Sequence, residues 1–382
     1  MNLLLTNARV VLEDQVFDHA SLLIENGLIA AIEPENPRVE QTFDLNGAWL
    51  MPGLIDLHAD ALEKDIEPRP NVHFPLTYAI AQADKRNAAA GITTAFHSLS
   101  FANAELGLRN NDIAENIVRA IHDFQPFGLT DNRVHTRYEI TDPTALPVLT
   151  RLVDDGLVHL LSVMDHTPGQ GQFKDMRAYQ EYLQNSYKKS AEETRQLIDD
   201  KLAQAEAARE RVQTLVAHAH DHGVHVASHD DDCPEKIAEI KALNIHISEF
   251  PINLETARAA RAENMHTIMG APNIVRGKSQ SGSMKAQDAI EHDVATCLCS
   301  DYAPAALLTS LFTLVERHVL SLPEAVRLAS FNPAQALGLT DRGVIAAGKR
   351  ADLIAVDSIG GLSQVTATWC AGKAVYQAGY RA

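Results

Sequence analysis

The sequence predicts an α/β protein, a (β/α)8 TIM-like barrel with a small β-sandwich built from its N- and C-terminal segments. Three observations predict it. Apolar strand-like runs alternate with helical segments through the middle of the chain, short branched runs with tight-turn signals occupy both ends, and potential metal ligands stand where the middle runs stop. Continuous apolar strands separated by helices argue for a parallel sheet covered on both faces. About eight such units in roughly 250 residues is the size of a (β/α)8 barrel.

At the N-terminal end, Leu3–Leu12 and Ser21–Glu25 are rich in branched residues, and Glu25-Asn26-Gly27 is a hairpin-turn signal. Leu28–Ile32 and Ala48–Met51 continue the pattern. At the other end, Gly343–Ile345, Ala351–Val356 and Ala367–Val375 read as strands, with turns at Ala347-Gly348-Lys349 and Gly360-Gly361. Pairing the two ends gives a β-sandwich domain of residues 1–52 plus 340–382 and leaves 53–339 for the barrel. Its eight candidate strands are Leu54–Leu57, Ile92–Phe96, Val134–Ile140, Val158–Met164, Val224–Ser228, Ile245–Phe250, Thr267–Gly270 and Ala295–Cys299. The stretch 102–130 has room for one more. Residues 174–222 are charged, rich in Ala, Leu, Gln and Glu, and nearly free of Gly and Pro, which predicts a helical insertion.

Composition bounds the function. The chain has 382 residues, 46% hydrophobic and 22% charged, so an ordered globular protein is expected. A net charge of −17 would repel a polyanion gripped over a long surface, which excludes nucleic acid as a partner. A small anion remains acceptable where basic residues gather locally. No apolar run is long enough to span a bilayer, and Met1-Asn2-Leu3-Leu4-Leu5 lacks the basic start of a signal peptide, so no membrane partner is expected. Cys233, Cys297, Cys299 and Cys370 form no C-x-x-C pair and no disulfide framework, which fits a reducing cytoplasm. A homo-oligomer is compatible with all of this.

The strand ends carry the chemistry, as they do in barrel enzymes. The first barrel strand runs into His58-Ala59-Asp60, whose i and i+2 side chains share one side. The later strands end in Glu139, in Asp165-His166, in His229-Asp230-Asp231 and in Asp301. Three His and three carboxylates, namely His58, Asp60, Glu139, His166, His229 and Asp301, suit two divalent ions of borderline softness, zinc by default and manganese as the alternative. Two such ions lower the pKa of a shared water to near neutrality, and Asp301 is the candidate catalytic proton shuttle. A lone strand-end His or Asp is usually structural; the convergence of six is what argues for a metal centre. His97 also ends a strand and stays unassigned. The densest histidine cluster, His218 to His225, reads instead as a helix C-terminus whose imidazoles favour the dipole and cap carbonyls.

Cations recur beside these ends. Lys64 and Arg69 follow the His58 strand, Arg137 precedes Glu139, and the segment from Ala271 to Gly282 holds Asn273, Arg276 and Lys278 with hydroxyls and glycines. Such a loop can wrap an anion with side-chain and backbone donors. Lys64, Arg69, Arg137, Asn273, Arg276 and Lys278 are therefore the candidate contacts to a small anionic substrate.

The segment Met51-Pro52-Gly53-Leu54-Ile55-Asp56-Leu57-His58 resembles the first-strand signature of the amidohydrolase superfamily, and Asn332-Pro333-Ala334-Gln335-Ala336-Leu337 with Gly348-Lys349-Arg350-Ala351-Asp352-Leu353 resembles its C-terminal signature. Narrower segments add to this. His58-Ala59-Asp60 stands where most members have His-x-His, followed by Glu67-Pro68-Arg69-Pro70. Then come Ser162-Val163-Met164-Asp165-His166-Thr167-Pro168-Gly169-Gln170, Ala227-Ser228-His229-Asp230-Asp231, Met269-Gly270-Ala271-Pro272-Asn273-Ile274-Val275-Arg276-Gly277 and Ser300-Asp301-Tyr302. Together they resemble the triphosphate diphosphatases of the carbon–phosphorus lyase pathway for phosphonates. The resemblance implies hydrolysis of α-D-ribose 1-methylphosphonate 5-triphosphate to the 5-phosphate and pyrophosphate, and it implies metal roles for the six residues above. Two rival functions are a two-metal amidohydrolase or deaminase acting on a cyclic amide or nucleobase C–N bond, and a metal-free scaffold. The first needs neither Arg276 nor Lys278; the second would have lost its ligands.

Overall fold

The computed structural model describes residues 2–102, 110–167, 190–279 and 283–380. The N-terminal segment supplies strands β1 (Asn2–Val11), β2 (Val16–Glu25), β3 (Leu28–Ile32), β4 (Gln41–Asp44) and β5 (Trp49–Pro52). The barrel strands follow as β6 to β13, and the C-terminal segment adds β14 (Leu353–Ile359), β15 (Leu362–Cys370) and β16 (Lys373–Gln377). The terminal strands form one mixed sheet in the order β16-β15-β14-β5-β1-β2-β3, with β4 beside β1, and this is the small β-sandwich. The chain ends meet where β14 runs antiparallel to β5, with Leu353 opposite Pro52 and Val356 opposite Trp49. Leu5, Leu22, Leu50, Leu353 and Trp369 form its core. At the β2–β3 turn, Asn26 and Gly27 take φ of 52° and 82°, as a two-residue hairpin requires.

Two terminal expectations fail for backbone reasons. Gly343–Ile345 is not a strand. Gly343 has φ of 91°, and a Cβ there would meet the Ser330 carbonyl oxygen at 2.9 Å, so the chain turns closely over its neighbour. The run Ala367–Val375 is split between β15 and β16, because Ala371 and Gly372 both adopt positive φ (48° and 73°) and reverse the chain.

The barrel strands are β6 (Leu54–Ala59), β7 (Ile92–Phe101), β8 (Asp131–Glu139), β9 (Leu160–Met164), β10 (His225–His229), β11 (Ile247–Glu249), β12 (His266–Gly270) and β13 (Cys297–Cys299). They pair in sequence order, all parallel, and every expected strand is among them. A parallel bridge between Ala59 and Asp301 draws the last strand back to the first. The amide of Asp301 donates to the His58 carbonyl at 2.9 Å, and the amide of Asp60 donates to the Asp301 carbonyl at 2.8 Å. At the entrance to β6, Gly53 is required by close approach: a Cβ there would lie 2.8 Å from the Cβ of Thr93.

The helices cover the outside. Helix Asn111–Phe124 buries Ala114, Ile117, Val118 and Ile121 along one stripe and is capped by Asn110, which accepts from the amides of Asp112 and Ile113. This helix and the short 3-10 turn Gln125–Phe127 fill the described part of 102–130, leaving no further strand there. Of the expected insertion, the described part is helix Ala191–Asp221, opened by a Ser190–Glu193 capping box; residues 174–189 lie outside the described residues. No helix among the described residues is long and apolar enough to cross a membrane.

Candidate metal centre

The interlocked backbone at Ala59 and Asp301 brings the first and last strand ends together. His58 Nε2 lies 3.3 Å from Asp60 Oδ1, and one ligand atom each from His58, Asp60 and Asp301 fits within 4.8 Å. A second group, His166, His229 and Asp230, meets the same limit, and so does a third, His58, His229 and Glu249. Shared His58 and His229 make these one continuous centre. Asp230 and Asp301 both have positive φ, 56° and 53°. Strained, left-handed backbone at two strand-end acids is the kind of conformation that clusters at functional sites.

A supporting layer orients the ligands. Glu249 is fully buried and accepts from His58 Nδ1 at 3.0 Å, which leaves Nε2 to face the centre. Its other oxygen lies 3.7 Å from Nε2 of buried His135. Glu139 plays the same part for His166, whose Nδ1 donates to Glu139 Oε2 at 2.8 Å, while Thr141 Oγ1 donates to Oε1 at 2.7 Å. Glu139, expected as a ligand, thus stands hydrogen-bonded behind His166. Its oxygens accept from His166 and Thr141, and among the described residues the convergent groups hold Asp230 rather than Glu139.

The residues fit divalent metal. Both ring nitrogens of His229 are buried; Nδ1 lies 3.2 Å from Asp230 Oδ2, while Nε2 has no hydrogen-bond partner, a costly state that coordination would relieve. Burial works to lower the pKa of His58, yet Glu249 and Asp60 overcome it and hold the imidazole up at about 10. A centre that attracts a proton so strongly attracts a cation for the same reason. Glu249 is pushed up by burial but held down to about 2 by His135 and His58. Asp301 is raised by burial and then by the charge of Asp60, so it accepts a proton more readily than an ordinary aspartate.

The cationic candidates part company. A cavity of about 150 Å³ runs from Asp230 and Asp301 to Asn273, Arg276, Lys278 and Tyr302. Arg276 Nη1 is 3.3 Å from the Tyr302 hydroxyl, and Asn273 Oδ1 accepts from the amide of Ala286, tying the loop to the next helix. Arg137 is instead buried and donates to both oxygens of Asp60. Arg137, expected as a substrate contact, thus pairs with Asp60, a member of one convergent group. Lys64 and Arg69 are exposed, in the last turn of helix Ala61–Ile66 and in the turn after it, and neither lines this cavity. His97 is engaged by a buried network: its Nε2 bonds Asn132 Oδ1 at 2.8 Å, and Asn132 donates to buried Asp84.

The sequence reading missed Glu249, Asp230 and His135. Glu249 had a signal, an acid closing the apolar run Ile245–Phe250, and Asp230 follows His229 directly. His135 had none, since a histidine inside a strand looks like core.

A model of the amidohydrolase family matches residues 49–375. The chain belongs to the amidohydrolase family. It is 37% identical to the alpha-D-ribose 1-methylphosphonate 5-triphosphate diphosphatase of Escherichia coli (strain K12), over 98% of this chain and 100% of that protein. An imidazolonepropionase of Deinococcus deserti is 24% identical over 94% of this chain and 92% of its own. Among solved structures, the N-acetyl-D-glucosamine-6-phosphate deacetylase of Mycobacterium smegmatis superposes with a TM-score of 0.67 at 18% identity, covering 98% of this chain and all of that one. At that identity the likeness shows the fold alone. This amidohydrolase thus has the barrel and sandwich of its family, with an aspartate at the second position of the His58-Ala59-Asp60 signature.

Proposed function

We propose that this enzyme hydrolyses a phosphoanhydride of α-D-ribose 1-methylphosphonate 5-triphosphate, giving the 5-phosphate and pyrophosphate, in phosphonate breakdown in the cytoplasm. The observation that carries the reading is the cavity that joins Asp230 and Asp301 to Arg276 and Lys278. It sets a proton acceptor and cation-binding carboxylates at one end and two cations at the other, which suits a polyphosphate lying across the centre. The relative of that activity, similar over the whole chain, supports the substrate. The reading takes 1–52 plus 340–382 as the sandwich domain and 53–339 as the catalytic barrel.

His58, Asp60 and Asp301 would hold one divalent cation and His166, His229 and Asp230 a second, with zinc the expected ion for this donor set. When bound, such ions acidify water and withdraw charge from phosphoryl oxygens. Asp301 takes the proton of the attacking water, and the proton then goes to the oxygen that leaves with pyrophosphate. Arg276 and Lys278 hold the outer phosphates and neutralise charge as the anhydride opens. Arg137 keeps Asp60 in place, while Glu249 and Glu139 fix the rings of His58 and His166.

A second reading, hydrolysis of a cyclic amide, draws on the imidazolonepropionase relatives. One experiment separates them: zinc-loaded protein is incubated with a ribose 5-triphosphate carrying a 1-phosphonate, and pyrophosphate is measured. Stoichiometric pyrophosphate is expected. Metal-replete protein that releases none, yet opens a cyclic amide, would overturn the proposal.

A further inference from the structure

The His218 cluster, read from sequence as a helix end, gains a third member in the fold. His218 and His222 stand one turn apart at the C-terminal end of helix Ala191–Asp221. Asp154, the last residue of helix Ala145–Asp154, meets both: His218 Nε2 is 2.8 Å and His222 Nε2 3.5 Å from Asp154 Oδ1. One ligand atom from each lies within 4.8 Å of the others. We propose that His218, His222 and Asp154 form a surface site for a zinc-class divalent cation, separate from the catalytic centre.

Three features support the site. The first is ligand spacing. Bonds of about 2.1 Å in tetrahedral geometry place neighbouring donor atoms about 3.4 Å apart, close to the 2.8 and 3.5 Å that separate the two imidazoles from Asp154 Oδ1. The second is the tautomer of His222. Its Nδ1 donates to the His218 carbonyl at 2.9 Å, which leaves the Nε2 lone pair turned toward Asp154. Two acceptors facing each other are a poor hydrogen-bonded pair but a good pair of ligands. The third is the field: two helix C-termini converge here, and their negative dipole ends, with the Asp154 carboxylate, favour a cation.

The position is distinct. Helix Ala145–Asp154 leads into the start of β9 and helix Ala191–Asp221 into the start of β10, so both ends lie at the strand N-termini. The catalytic residues lie at the strand C-termini, across the barrel. The two histidines and the aspartate are partly exposed, which leaves the remaining coordination positions to water and makes the site reachable from solvent. An imidazole and carboxylate set suits zinc, cobalt, nickel or copper rather than calcium or magnesium. Binding replaces the His218 Nε2 proton, which leaves with solvent, and clamps one barrel helix to its neighbour.

Equilibrium dialysis of the zinc-loaded enzyme against excess zinc, with metal counted per chain, tests this. Wild-type protein is expected to hold one zinc more than either His222→Ala or Asp154→Asn, with hydrolase activity the same in all three. Added zinc should raise the melting temperature further in wild type than in the variants. Copper(II) titrated into the zinc-loaded protein should give an electron paramagnetic resonance signal with nitrogen coupling that His218→Ala and His222→Ala lose. Equal zinc counts and unchanged copper spectra would overturn the proposal and leave a plain His218–Asp154 ion pair. Because hydrolase activity is read separately, that failure would not touch the catalytic assignment.

Discussion

Arg137 donates from Nη1 to both carboxylate oxygens of Asp60, at 3.0 and 2.9 Å. The Asp60 carboxylate brings a negative charge to the centre, and the buried guanidinium answers it. Arg137 thereby acts on the chemistry through Asp60. Arg137→Met is expected to lower kcat about 10–100-fold, the usual effect of losing a partner that orients a metal ligand. The KM for the triphosphate should move less than about threefold, since a residue that does not touch substrate leaves uniform binding intact. Steady-state kinetics with pyrophosphate detection checks both; a large KM change with kcat unaltered would return Arg137 to the substrate contacts.

Glu249 has the matching role for His58. Glu249→Gln keeps the size but replaces an acceptor that also balances the charge of His58, and Glu249→Ala removes it. Zinc retention against a chelator is expected to weaken about 10–100-fold in Glu249→Ala and less in Glu249→Gln, whose carbonyl can still accept from Nδ1. The same order should appear in activity at limiting zinc. Identical chelator titrations for wild type and Glu249→Ala would show that His58 is held by packing alone.

What the sequence made legible follows from period and punctuation. All eight barrel strands were found because buried parallel strands are near-continuous apolar runs, and the Asn26-Gly27 turn because only a few residues tolerate its backbone. The Ala371-Gly372 reversal was missed because alanine at positive φ gives no compositional signal. At the site, His58, Asp60, His166, His229 and Asp301 were readable as strand-end residues that the fold gathers into convergent groups. Which acid completes a group depends on side-chain direction, and no spacing rule turns Glu139 back toward Thr141 or curls Asp230 inward. Long-range pairs such as His58 with Glu249, 191 residues apart, exist only in the folded chain.

Arg276 is the outer wall of the cavity that begins at Asp301. A charge-assisted contact to phosphate is worth about 1.5–3 kcal/mol, so Arg276→Ala is expected to raise KM for the triphosphate about 10–100-fold. Activity on the corresponding 5-diphosphate, which keeps one anhydride but lacks the terminal phosphate, should change less, because that phosphate is what the guanidinium holds. Comparing the two substrates in one variant removes any general damage to the fold. Equal losses on both would place Arg276 outside the phosphate path.

Stability at the other end of the barrel turns on Arg342. Its Nη1 donates to Asp131 Oδ2 at 2.6 Å and to Thr94 Oγ1 at 2.9 Å, and lies 3.9 Å from Asp352 Oδ2. The side chain is almost wholly buried and ties the start of β8 to the residue before β14, joining barrel and sandwich. Arg342→Met is expected to cost about 3 kcal/mol, the low end for breaking a buried pair because Arg133 still faces Asp131. Burial works against ionisation of Asp131, but Arg133 and Arg342 outweigh it and hold the carboxyl below its usual range. A depressed folded pKa contributes stability that is present above the unfolded value of about 3.9 and is lost as pH falls through the folded value. The difference between wild type and Arg342→Met should therefore be full at pH 7 and shrink below about pH 4. Urea unfolding of the zinc-loaded proteins across that range measures it, and a gap independent of pH would mean that Arg342 acts by packing its stem rather than by its charge.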